Sequence, residues 1–143
     1  MNKQFLLGIR GAMLAAYPLD RFIDDRVDYC AEYREEFPID NQEYLKDEQN
    51  FLLKWKAFVA RLIQVIDNSP NIRVIHITKD EVEVLATAIN IFAYYMSRRS
   101  NLSRDERMGS FEFNNIFGKM AQWYKSNFNA QSLPISDFFC DMR

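Results

Sequence analysis

Val84-Leu85-Ala86-Thr87-Ala88-Ile89-Asn90-Ile91-Phe92-Ala93-Tyr94-Tyr95-Met96 is the segment around which the rest of this chain has to be arranged. Its apolar residues do not alternate as those of a half-buried strand would. Wound at 3.6 residues per turn, Val84, Leu85, Ala88, Ile89, Ile91, Phe92, Tyr95 and Met96 occupy nearly the whole circumference. A helix with no polar side belongs in the middle of a bundle, so other helices must enclose it. Thr78 and Glu81 precede it at the spacing of a capping box and predict a helix from there to about Arg99.

Working toward the start of the chain, Phe5, Leu6, Ile9 and Met13 predict a first helix that stops near Tyr17-Pro18. A second is expected from about Asp20 to Glu36, with Phe22, Ile23, Val27, Cys30 and Tyr33 on one side and Pro38 closing it. A third, the longest, opens at Asp40 as N-cap with Glu43 three residues on, and Asn68-Ser69-Pro70 ends it. It carries two apolar strips, one of Tyr44, Phe51, Trp55, Phe58, Leu62 and Ile66, the other of Leu52, Val59 and Ile63. Either both are core, or one is core and the other walls a groove. Residues 72–77 read as an extended connector, because no second strand is evident to pair with them. Beyond the central helix, Ser103 and Glu106 form another capping box followed by a short turn. A fifth helix is expected from about Phe111 to Phe128, and a last short one over Leu133–Cys140. The expected fold is a single all-α domain over residues 1–143, wrapped around residues 79–98.

Composition narrows the function. With 143 residues and 48% hydrophobic content, the chain can bury one domain-sized core and is not a disordered protein. A net charge of -2 argues against a nucleic-acid binder that relies on overall charge. Cys30, Cys140 and His76 cannot supply a four-ligand zinc site. They also exclude a disulfide framework, which suits a reducing compartment. Arg10 breaks the apolar start after a few residues, and no run reaches a membrane span. A soluble, cytoplasmic protein is expected.

Few motifs carry chemistry. Asp24-Asp25-Arg26-Val27-Asp28 spells the Asp-Asp-x-x-Asp pattern that holds magnesium against diphosphate in all-α isoprenoid enzymes. Those enzymes are far longer and carry a second metal motif, so a solvated helix face is the simpler account. The same helix continues with Glu32, Glu35 and Glu36, an acidic surface that would suit a cationic partner. Arg98, Arg99, Arg104 and Arg107 form a matching basic cluster near a helix C-terminus, where cations are favoured in any case. His76 has no nucleophile or acid partner in view. No phosphate loop, triad or carboxylate pair appears, so catalytic residues, cofactor and metal are all expected to be none.

Three segments of the C-terminal half resemble the Bcl-2 family of apoptosis regulators in order and spacing. Val84–Tyr94 is similar to the start of that family's buried central helix, where Asn-Trp-Gly-Arg leads into an Ile-Phe-Ala-Phe type run. Ile116-Phe117-Gly118-Lys119-Met120-Ala121-Gln122-Trp123-Tyr124 resembles the next helix, an Ile-x-x-x-Met-Ala-x-Tyr-Leu pattern. Ile135–Met142 is similar to the closing Trp-Asp-x-Phe-Val-Glu-Leu-Tyr helix. The likeness covers residues 79–142; the first half matches only in its number of helices. It implies a Bcl-2-like bundle and a non-enzymatic inhibitor of apoptosis that sequesters BH3 (death-motif) helices of pro-apoptotic proteins in an apolar groove. The compact form, without long acidic loop or membrane anchor, resembles viral homologues acting in the host cytoplasm, and a homodimer is compatible with it. The implied groove residues are Trp55, Phe58, Val59, Leu62, Ile63, Val84, Thr87, Ala88 and Ile91. The family's Asn-Trp-Gly-Arg falls on Val84-Leu85-Ala86-Thr87, so Thr87 stands where relatives pair an arginine with the ligand's aspartate. Recognition would then lean on apolar pockets or on another cation. The competing expectation is a bacterial or phage immunity or inhibitor protein that blocks a basic toxin or defence protein through the acidic second helix.

Overall fold

The computed structural model describes residues 3–38 and 42–136. Its elements in chain order are β1 (Phe5–Gly8), α1 (Ile9–Leu14), a π-helical turn (Ala15–Leu19), α2 (Asp20–Glu36), α3 (Gln42–Asn68), β2 (Val74–Ile77), α4 (Lys79–Ser97) and α5 (Arg104–Phe128). The protein is therefore mostly helical, as expected, with one small sheet.

The expected central helix is α4. Val82, Leu85, Ala86, Ala88 and Ile89 are almost completely buried, and Ile91, Phe92, Tyr95 and Met96 complete the enclosure. Thr78 Oγ1 accepts from the Glu81 N–H while the Glu81 carboxylate accepts from the Thr78 N–H, so the capping box closes in both directions. Three helices and the π turn pack on α4, with α5 the most extensive neighbour. Phe22 of α2 and Phe113 of α5 both meet Phe92 edge to face, at ring-centroid distances of 5.1 and 5.2 Å.

Five segments depart from expectation. Phe5–Gly8 is a strand, not a helix, and residues 74–77 are its antiparallel partner rather than a connector. The register pairs Phe5 with Ile77 and Leu7 with Ile75, which turns all four of these side chains into the core and Leu6 and His76 outward. Pro18 does not stop the helix. The chain passes from α1 to α2 through one π turn, whose wider winding takes in a residue that lacks an N–H and crowds the preceding turn. The helix α5 starts directly at its Ser103 cap, so no turn separates the Ser103–Glu106 capping box from it. Leu133–Ser136 is not helical, and the remainder of that expected helix, like Asp40 as N-cap, lies outside the described residues.

Polar links set the helix positions. Asp20, at the start of α2, accepts from the Trp55 indole N–H and the Lys56 ammonium of α3, both at 3.0 Å. Arg34 of α2 makes a two-pronged pair with the buried Glu48 of α3, one prong at 2.9 Å. Arg61 of α3 grips Glu81 of α4 through Nε and Nη2 at 2.7 and 2.8 Å and also donates to the His76 carbonyl of β2. Tyr124 of α5 donates to Glu83 of α4 at 2.9 Å. Cys30 is fully buried and disulfide-bonded, a bond that the cysteine count alone does not predict.

Two outcomes follow from this packing. Replacing Ile91 or Phe92 by Ala should cost about 2–5 kcal/mol in a denaturant titration, and losses below about 1 kcal/mol at both sites would show that α4 is not the core. Beside the Arg34–Glu48 pair, burial and then the Glu48 charge push the Tyr44 phenol from 10.0 up to about 12. The folded state holds this proton more tightly than the unfolded chain. The stabilisation is thus complete below pH 10 and is lost as pH rises through about 12. Phenolate absorbance should show a late-titrating tyrosine that Tyr44→Phe removes, together with a smaller loss of stability at high pH in that variant.

Candidate partner-binding groove

Helix α3 packs along α4, and its residues at three- and four-residue spacing, Phe51, Lys54, Phe58 and Arg61, come to one face. Asp80, Val84 and Thr87 of α4 face them across a furrow made of two adjoining recesses of about 390 and 290 Å³, which share Lys54, Asp80 and Val84. The larger runs past Asp47, Phe51 and Glu83 to Thr87 and ends against Pro134, Ile135 and Ser136. The smaller is closed by Ala57, Phe58, Arg61 and Glu81. Phe51, Phe58, Val84 and Thr87 are buried, whereas Asp47, Lys54 and Asp80 are exposed, so the furrow has an apolar floor and a charged rim of both signs. The Thr87 hydroxyl donates to the Glu83 carbonyl at 3.0 Å and is thus committed to its own helix. Glu83 is held in turn by Tyr124. Burial and then this carboxylate raise the phenol of Tyr124, while its hydrogen bond and the Glu83 charge raise the exposed Lys79 ammonium.

Among the residues expected to form the groove, Phe58, Val84 and Thr87 line this furrow. Trp55, Leu62 and Ala88 are fully buried, Val59 and Ile91 nearly so, and Ile63 is partly buried. Those five buried side chains pack in the core and line neither recess. For Trp55 the reason is visible: its indole N–H is taken by Asp20. Of the two apolar strips on α3, the first is mainly core. The rim residues Lys54, Asp80 and Arg61 were missed, although Lys54, Phe58 and Arg61 form a mixed polar and apolar line along α3 that marks an edge of its apolar stripe.

The other motifs have ordinary surroundings. Asp24 pairs with Lys56, while Asp25 and Asp28 are exposed. Among the described residues no three His, Cys, Asp or Glu side chains converge to hold a metal. Asp25, Asp28, Glu32, Glu35 and Glu36 leave an open acidic face on α2. Arg99 pairs with Glu106, and Arg98 donates to the Tyr94 hydroxyl at 2.6 Å. His76 sits on the outer side of β2. Among the described residues no helix is long and apolar enough to cross a membrane.

A second recess, about 520 Å³, was not foreseen. It lies between the π turn, the end of α4 and the start of α5, with Leu14, Pro18, Phe22, Phe92, Met96 and Phe113 among its walls. A helix-breaking Pro18 beside exposed Tyr17, and Gly109 beside Met108 in a helix, were the available signals. Compared with known families and proteins, the chain matches no family model, no curated protein and no solved structure.

Proposed function

We propose that the chain is a non-enzymatic binding protein that sequesters BH3-type helices of pro-apoptotic proteins in the manner of a Bcl-2 relative. The observation that carries the reading is the apolar-floored furrow that runs along the enclosed helix α4 and takes in Thr87. Thr87 is the residue that the sequence resemblance aligns with the ligand-pairing arginine of relatives. An amphipathic helix laid in such a groove inserts anchors at i, i+3/i+4 and i+7. Lys54, exposed and lining both recesses, is the cation suited to take the ligand's aspartate in place of that arginine. As a flexible ammonium it would do so without two-pronged geometry, which favours ligands with the best apolar anchors.

A second reading rests on a different observation, the open acidic face of α2. It makes the chain an immunity or inhibitor protein that covers a basic toxin or defence protein. Ionic strength separates the two, because affinity through an acidic face falls steeply with salt and affinity in an apolar groove does not.

Calorimetric titration against a panel of BH3 peptides tests the first reading. Lys54→Glu should weaken binding by about 1–3 kcal/mol through the unpaired ligand carboxylate. Thr87→Arg should broaden or strengthen binding, since the recess beside it gives the longer side chain a route to solvent. Absence of binding to any peptide by wild type and both variants removes the apoptosis reading and leaves the acidic-face inhibitor.

A further inference from the structure

We infer that Ile135, on the stretch that follows α5, is the specificity-determining residue of the α3–α4 furrow, the side chain against which a ligand's apolar anchor packs. The inference rests on the binding reading above and deepens it by naming this contact. The larger recess has two helical walls, from α3 and α4, and a third wall, residues 134–136, that belongs to no helix. The apolar side chains of the helical walls are nearly covered, with Phe51 and Val84 7% and 8% exposed. Ile135 is 41% exposed, and Pro134 beside it is exposed as well. Of the apolar side chains lining the recess, these two keep most of the surface that an occupant can remove from water, and the hydrophobic gain scales with that area.

Local structure holds Ile135 in place. The helix α5 ends at Asn129, whose φ of 51° lies in the left-handed region that asparagine tolerates, and the chain leaves the helix axis there. Leu133 is 6% exposed and joins the core that includes Phe51 and Val84. Pro134 locks its own φ and disfavours helix at Leu133, in keeping with the non-helical path of this stretch. Ile135 thus follows a buried anchor by two residues and a stiff ring by one. A side chain presented in this way has less freedom to lose when it is covered, so more of its burial appears as affinity.

The rim and the third wall do different work. Asp47, Lys54 and Asp80 are exposed charges that orient the polar edge of a ligand and discriminate little between one apolar anchor and another. That discrimination needs a shaped apolar contact, where one methylene gained or lost is worth roughly 10–200-fold. Ile135, branched and half-covered, is positioned in the recess to make it. The sequence places this residue in an expected terminal helix and gives it no role, because its place in the furrow depends on how the chain returns after α5.

The test uses the full chain, with isoleucine and valine methyl groups labelled for NMR, and two probes. The first is a side-chain-cross-linked BH3-type helix of about four turns with leucine anchors, together with versions in which each leucine in turn is alanine. The second is indole, an apolar anchor without a helix. Ile135→Ala should weaken the parent helix about ten-fold, and Ile135→Val by less. That loss should vanish for the one version lacking the leucine that meets Ile135, which a merely structural role would not produce. Ile135 is exposed, so circular dichroism should be unchanged. Indole should shift the Ile135 and Val84 methyls and leave Ile77, fully buried in the sheet, unmoved. If the helix binds but Ile135→Ala binds it like wild type, or loses the same affinity for every version, the inference is overturned and the binding reading stands. If no helix binds and indole still moves the Ile135 and Val84 methyls, Ile135 keeps its role as the apolar contact and the BH3 reading falls. If no helix binds and indole moves neither methyl, both are overturned.

Discussion

An apolar helix without a polar side has to be roofed in every direction, and α4 imposes that requirement on the rest of the chain. α3 and α5 supply the long walls, and α2 and the π turn close the remaining sides. The sheet adds Phe5, Leu7, Ile75 and Ile77 to the same core. Burial of side chains this large dominates the energetics, at roughly 1.5–3 kcal/mol for each one fully removed from water. The polar links contribute less to stability than to alignment. Glu81 is the clearest case, closing the cap of α4, gripping Arg61 of α3 and, through Arg61, reaching the backbone of β2. One carboxylate thereby fixes the relative position of three elements.

The enclosure of α4 is complete at its middle and thinner toward both ends. Its N-terminal half gives Asp80, Val84 and Thr87 to the furrow beside α3. Its C-terminal half gives Phe92 and Met96 to the recess beside the π turn. A rigid helix rising about 1.5 Å per residue carries both surfaces, so each is built on the most constrained part of the molecule rather than on loops. Open carboxylates gather on α2, whereas the start of α5 carries both signs, with Arg104 and Arg107 beside Asp105 and Glu106.

Local signals carried much of the fold. The capping boxes of Thr78–Glu81 and Ser103–Glu106 each require only four consecutive residues, and both are present. The bounds of α2 follow from apolar periodicity with Pro38 behind it, and the burial of α4 from periodicity alone. The sheet could not be found that way. Val74-Ile75-His76-Ile77 alternates correctly, but its partner lies near the other end of the first half of the chain, and Phe5-Leu6-Leu7 fits helix and strand equally. Pro18 misled because proline penalises an α turn, whereas the π turn that accepts it has no sequence rule of comparable strength. The groove was legible only in part for a related reason. Periodicity says which side of α3 is apolar, but only packing decides that Trp55 and Leu62 face the core while Phe58 reaches a furrow.

The pairing of β1 with β2 bears on how the molecule is made. Synthesis delivers β1 well before its partner, which follows only after α3, about seventy residues later. On the ribosome the first strand therefore leaves the exit tunnel with both edges unsatisfied and Leu7 and Phe5 uncovered. It stays so while three helical segments are added. Closing that long loop carries an entropic cost that the local helices do not share. Until the sheet forms, the newborn chain offers a bare strand to any chaperone or neighbouring polypeptide able to pair with it.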